Sequence, residues 1–214
     1  MNPSAKFPQI TLNIKGLQCK RGERTVLAGL DLFAGSGTFV AIRGPNGAGK
    51  STFLMAVAGL LPFSGEVSIA LADWDYDEHP LHEQMLFVTH LNAIKPELTV
   101  RENLGFWADM VDGSRDRIGD ALNAAGIGQL ADVPAGAMSK GQQRRCSLAR
   151  LLIADKPIWL LDEPTSALDK SGDKWIAGLI SDQVRRGGLV LAATHRPIVP
   201  DDDINIFNLD LEPV

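Results

Sequence analysis

Cysteine is scarce in this chain of 214 residues: only Cys19 and Cys146, far apart and at no metal-binding spacing. A disulfide-stapled scaffold and a thiolate metal centre are thereby excluded, and both thiols read as reduced in a cytoplasmic protein. Long apolar runs are missing too. No window approaches the ~20 residues of a membrane span, and the longest stretches are broken by Asp155, Lys156 and Asp162. Residues 1–8 lack the apolar core of a signal peptide. The chain is therefore not expected to cross a membrane, although it can work at one through a partner. Positive charge is outnumbered, with 21 Lys and Arg against 26 Asp and Glu and a net charge of −5, so nucleic acid is not an expected partner. The pairs Arg144-Arg145 and Arg185-Arg186 stand isolated and read as solvated helix faces. Internal repeats and low-complexity segments are absent as well.

What is present is specific. Gly44-Pro45-Asn46-Gly47-Ala48-Gly49-Lys50-Ser51 completes the pattern G-x-x-x-x-G-K-[ST]. It follows the apolar run 39–42 and leads through Thr52 into a helix-like stretch reaching 60. Glycines let backbone N–H groups turn inward around phosphate oxygens. Lys50 adds a point charge for the β- and γ-phosphates, and Ser51 offers a hydroxyl to Mg²⁺. The helix start aims its positive dipole end at the same anion. These residues imply binding of a nucleoside triphosphate.

The hydrophobic content of 45% suits one domain with a sizeable core. Alternation of Ile10, Leu12 and Ile14 predicts a half-buried strand over 9–17, and further strands are predicted over 25–33, 39–42, 65–71 and 85–88. The acidic stretch 73–79 reads as an exposed loop. From 99 to 153 the pattern is helical: Ile118, Ala121, Leu122 and Ala125 recur at helix spacing, and Ser139 is a candidate N-cap. Strands return at 158–161, 189–193 and 204–209, with a helix over 171–186 that carries Trp175, Ile176, Leu179 and Ile180 on one face. Strands alternating with helices indicate an α/β fold with a largely parallel sheet, interrupted by a helical insertion.

The strand 158–161 ends in Asp162-Glu163. Placed beside the phosphate-loop strand, its C-terminal end would lie near the γ-phosphate. Asp162 can then hold Mg²⁺, directly or through water, and Glu163 can polarise an attacking water. Between the two motifs lies Met138-Ser139-Lys140-Gly141-Gln142, at a helix start. This order of motifs resembles the ATPase subunits of ABC (ATP-binding cassette) proteins over nearly the whole chain. The resemblance implies a P-loop NTPase of ABC type, with a parallel sheet, an N-terminal antiparallel β subdomain and an inserted helical subdomain. It implies a single domain over 8–214, with the helical part at about 96–153 and a flexible segment 1–7. In that family Ser139, Gly141 and Gln142 belong to the signature motif, in which Lys140 replaces a usual glycine. By resemblance they contact the γ-phosphate held by a second copy of the chain. Ser166-Ala167-Leu168-Asp169 matches the D-loop, assigning Asp169 to the same contact, and His195 matches the switch histidine that senses the γ-phosphate. ATP is then the substrate and Mg²⁺ the cofactor.

Two positions depart from the general pattern. His90 replaces the usual Q-loop glutamine; an imidazole can ligate the ion or bond its water, and it also titrates near neutrality. Arg21 replaces the aromatic that stacks on adenine, and a guanidinium plane can stack there instead. With 21–27, 88–95, 98–104 and 141–145, these residues resemble the ATP-binding subunits of bacterial cytochrome c maturation systems. That resemblance implies ATP hydrolysis on the cytoplasmic face of the inner membrane, with integral membrane subunits, driving haem export or release of a haem-loaded chaperone. No residue pattern shows a haem site, and Cys-x-x-Cys-His is absent. An ATPase for another export substrate, or a soluble ABC ATPase acting on DNA or ribosomes, are the alternative readings.

Overall fold

The computed structural model describes residues 6–74 and 80–213. Most of the acidic loop expected at 73–79 lies outside them. Strands β1 (Ile10–Arg21) and β2 (Arg24–Gly35) form an antiparallel hairpin, and β3 (Thr38–Arg43) runs into helix α1 (Lys50–Val57). β4 (Ser64–Leu71) returns to β1, giving a three-stranded sheet in the order β2-β1-β4. After β5 (Met85–Val88) come α2 (Val100–Met110), α3 (Ile118–Ala124) and α4 (Lys140–Ala149). The chain closes with β6 (Ile158–Asp162), α5 (Lys170–Arg185), β7 (Leu189–Ala193) and β8 (Asn205–Asp210). The second sheet is parallel throughout, in the order β5-β6-β7-β3-β8. Among the described residues no helix is long and apolar enough to cross a membrane.

Burial explains why these segments choose these forms. In β1, Ile10, Leu12 and Ile14 point into the core while Thr11 and Asn13 between them are only half-buried, the period of a one-sided strand. Every residue of β6 and β7 is buried, as a parallel strand covered on both faces requires. One core joins the antiparallel sheet, α1 and one face of the parallel sheet. A second packs α5, through Ile176, Ile180 and Val184, on the opposite face. A third lies within the helical block, where Ile118, Ala121, Leu122 and Ala125 all turn inward. Thr99 with Glu102, and Ser139 with Gln142, form reciprocal capping boxes at the starts of α2 and α4. Cys19 and Cys146 are both buried and unpaired. Burial pushes the Cys146 thiol up to about 12, which leaves it unreactive.

The strand order corrects one expectation. β6 does not lie beside β3, because β7 is inserted between them and pairs with both. Apolar periodicity identifies a buried strand but says nothing about its neighbours. The end of β6 still meets the phosphate-loop helix, because α1 packs across β6 and β7 and its Ser51 reaches Asp162.

Of the segment 1–7, Lys6 and Phe7 are described, and both contact the end of α5. Lys6 and Phe7 donate their backbone N–H groups to Arg186 O, at 2.9 and 3.2 Å, and the Arg186 guanidinium lies 4.8 Å from the Phe7 ring centroid. Asp155 gathers Lys6, Arg117 and Arg186 at 2.6, 2.9 and 2.5 Å. It thereby ties Lys6, the helical block and the end of α5 together. Burial alone would raise this carboxyl, but the hydrogen bonds from Arg117, Lys6 and Arg186 outweigh it and hold the group well below the usual carboxylate range. A depressed carboxyl stabilises the fold above its unfolded pKa of ~3.9 and loses that contribution as pH falls through the folded value. Asp155→Asn is therefore expected to cost about 1–2 kcal/mol at pH 7, discounted for partial exposure. That corresponds to a melting temperature lower by ~3–6 °C. The gap between the variants should narrow below pH ~4. Thermal melts of both proteins across pH check it, and a gap independent of pH would contradict the ionic origin.

Candidate active site

β3 is buried until Arg43, and the chain then needs a tight loop before α1. Two glycines make that loop possible. Gly44 has φ +139°, and a Cβ there would lie 2.3 Å from Leu211 O. Gly49, the N-cap of α1, has φ +96°, and a Cβ would lie 2.6 Å from Leu27 Cδ2. No side chain caps α1, and its first turn carries no acidic residue, so its leading N–H groups suit an anion. Lys50 is 6% exposed. Its Nζ donates to Gly44 O at 2.8 Å and Pro45 O at 3.1 Å.

Ser51, one residue further, donates its Oγ–H to Asp162 Oδ1 at 2.9 Å. Asp162 ends β6 and is 1% exposed. Its other oxygen lies 3.3 Å from His90 Nδ1, just beyond the end of β5. Ser51, Asp162 and His90, the residues expected to form a metal-binding set, thus lie together. Serine hydroxyl and carboxylate are the hard oxygen donors that Mg²⁺ prefers. Among the described residues no cluster of three or more His, Cys, Asp or Glu could cage a metal.

Glu163 follows with φ +49°, a left-handed conformation that costs a non-glycine residue about 1–3 kcal/mol. Its N–H donates to Ala193 O at 2.8 Å. The turn swings the carboxylate toward the end of β7. There Glu163 Oε1 lies 3.1 Å from His195 Nε2, and Oε2 accepts from the His195 N–H at 3.3 Å. His195 Nδ1 lies 3.5 Å from Lys50 Nζ. One chain of contacts therefore runs from the lysine through the histidine to the glutamate.

These groups line a cleft of about 570 Å³, with Asn46, Gly47, Gly49 and Thr52 along the loop. Arg21, Arg24 and Val26, from the β1–β2 hairpin, stand at its edge. Arg24 was not singled out from the sequence, although its place beside Arg21 in the hairpin was a usable signal. Ser139, Gly141, Gln142 and Asp169 do not line this cleft. Ser139 and Gln142 cap α4, and a Cβ on Gly141 would lie 3.0 Å from Ala167 O. Asp169 caps α5 through Gly172 N at 2.8 Å and pairs with Arg145 at 2.8 Å.

The reading of Arg144-Arg145 as a solvated face is overturned. Arg144 is 1% exposed. Its Nη2 donates to Asp162 O and Glu163 O at 2.9 and 2.8 Å, and its Nε to Pro164 O at 3.3 Å. Its Nη1 reaches Thr89 O at 2.8 Å and Asn92 Oδ1 at 3.4 Å. Burial lowers its pKa to about 10, against the opposing pull of Asp162 and Glu163, so it stays charged at neutral pH. A sequence signal existed: Arg144 shares a helix face with Leu148 and Leu151, both buried.

The sequence profile of the ABC transporter family matches residues 27–166. The chain is 49% identical over 187 residues to the cytochrome c biogenesis ATP-binding export protein CcmA of Nitrobacter winogradskyi, covering 87% of this chain and 92% of that one. It is 48% identical to the protein of the same name in Bradyrhizobium diazoefficiens, covering 83% and 88%. In fold it is similar to an ABC transporter ATP-binding protein from Pyrococcus furiosus, with a TM-score of 0.78, 22% identity and coverage of 94% and 97%. It is likewise similar to a solved ATP-binding subunit of an ABC transporter, with a TM-score of 0.74, 23% identity and coverage of 86% and 79%. A phosphate loop, a buried Asp162 meeting Ser51, and Glu163 against His195, set on this fold and these likenesses, lead to one assignment: the chain belongs to the ATP-binding proteins of the ABC transporter family, in the group of cytochrome c biogenesis export proteins.

Proposed function

We propose that this chain is the ATP-hydrolysing subunit of an export complex of cytochrome c biogenesis, which drives haem export or release of a haem-loaded chaperone. The observation that carries the hydrolytic reading is the meeting of Lys50, Ser51, Asp162, Glu163, His90 and His195 at one end of a parallel sheet. The loop 44–49, Lys50, Ser51 and Thr52 hold the triphosphate, and Arg21 stacks on the base. Ser51, Asp162 and His90 would hold Mg²⁺, which neutralises charge on the β- and γ-phosphates when bound. Glu163 accepts a proton from the attacking water. His195, in contact with both Glu163 and Lys50, reports the γ-phosphate. The complex contains a second copy of the chain, whose Ser139, Gly141, Gln142 and Asp169 complete the site, and integral membrane subunits that hold it on the cytoplasmic face of the inner membrane.

Three experiments probe this reading at different levels. Glu163→Gln should keep Mg-ATP affinity within ~threefold while turnover falls by about 10²–10³-fold. An equal loss of affinity, measured by calorimetry, would make the carboxylate a binding group instead. If two copies share each site, a Ser139→Arg chain mixed with a Lys50→Ala chain should recover activity that neither shows alone, because one composite site stays intact. No gain on mixing contradicts the shared site. In the cell, replacing the chain by its Lys50→Ala form should abolish covalent haem in c-type cytochromes, read by haem staining. Unchanged cytochromes would remove the biogenesis role and leave the ATPase.

A further inference from the structure

Arg144 serves two segments from a single point on α4. Three of its acceptors are the consecutive carbonyls of Asp162, Glu163 and Pro164, which form the turn where Glu163 is left-handed. The Glu163 N–H is held from the other side by Ala193 O at 2.8 Å. Both peptide units of Glu163 are therefore pinned, and its side chain has one direction to leave. The other two acceptors, Thr89 O and Asn92 Oδ1, flank His90. Arg150, further along the same stretch of chain, donates to Phe87 O at 3.2 Å, so the exit of β5 is gripped twice. A guanidinium offers five N–H donors in a rigid plane, whereas an ammonium has three on a flexible stem and a glutamine amide only two. No other side chain can satisfy this set of acceptors at once.

We propose that Arg144 is a positioning residue for ATP hydrolysis: it holds Glu163 in its left-handed turn and His90 against Asp162, and fixes both to α4, the helix that begins after Ser139. Movement of α4 then carries the glutamate turn and the histidine segment with it. The inference rests on Glu163 acting as the base in the proposed function.

The test uses the full chain and the variants Arg144→Lys and Arg144→Gln. Mg-ATP affinity is measured by calorimetry, turnover is taken per bound nucleotide at saturating ATP, and melting temperature reports the fold. Affinity should stay within ~threefold, while kcat falls roughly 100-fold in Arg144→Gln and roughly 10-fold in Arg144→Lys, a partial rescue by the conservative variant. In a Glu163→Gln background, Arg144→Gln should lower residual turnover by less than ~threefold, because a misplaced base is no worse than a missing one. Unchanged kcat per bound nucleotide overturns the proposal. So does a fall in kcat matched by an equal loss of affinity. Should Arg144→Gln fail to fold, Arg144→Lys decides by the same criteria. The two readings fail separately. Normal turnover by Glu163→Gln removes the base assignment itself. An inert Glu163→Gln beside two fully active Arg144 variants leaves the base in place and removes the positioning role.

Discussion

A carboxylate withdrawn from water organises this protein. Asp162 is 1% exposed, and an isolated charge at that depth would cost several kcal/mol. It is tolerated because Ser51 donates to one oxygen, His90 meets the other and the Arg144 guanidinium lies against its backbone. Each partner comes from a different element, so the three must arrive together. α1 has to cross β6 so that Ser51 can reach it, β5 has to pair with β6 so that His90 can, and α4 has to pack beneath so that Arg144 can. The parallel sheet makes this possible, because all its strands end on the same side.

Much of this was legible in the sequence, for identifiable reasons. β5 and β7 fall where continuous apolar runs predict them, Met85–Val88 and Leu189–Ala193. The loop 44–51 was readable because phosphate chemistry prescribes both residue types and spacing. Ser139 as a cap was readable because the signal is local, with Gln142 three residues on. What escaped depends on partners distant in sequence. The insertion of β7 between β6 and β3 is a fact of pairing that no strand encodes within itself. The burial of Arg144 was masked by its neighbour Arg145, which made a surface pair the simpler inference. Its acceptors, at 89, 92 and 162–164, are all backbone carbonyls apart from one Asn side chain, and sequence does not display those.

The helical block is joined to the sheets by apolar packing, through Leu148 and Leu151 against β5 and β6, and by charged contacts at its margins. Its interior is an independent apolar core, from Val100 to Ile153. Across its boundary, Arg144 and Arg150 bond to the exits of β6 and β5, and Arg117 pairs with Asp155. Hydrogen bonds are directional, while apolar packing is not. The arginine contacts therefore add fixed directions to a boundary that apolar packing alone would leave free to slide.

Lys50 carries a thermodynamic consequence. The residue is 6% exposed, and its ammonium is already bonded to Gly44 O and Pro45 O. An incoming phosphate does not meet an unpaired cation; it competes with two peptide carbonyls for one already bonded. The heat released on binding is therefore a difference between two sets of hydrogen bonds and will be smaller than the count of contacts suggests. The lysine's share of the affinity should also respond weakly to ionic strength, since its charge lies where mobile ions barely screen it.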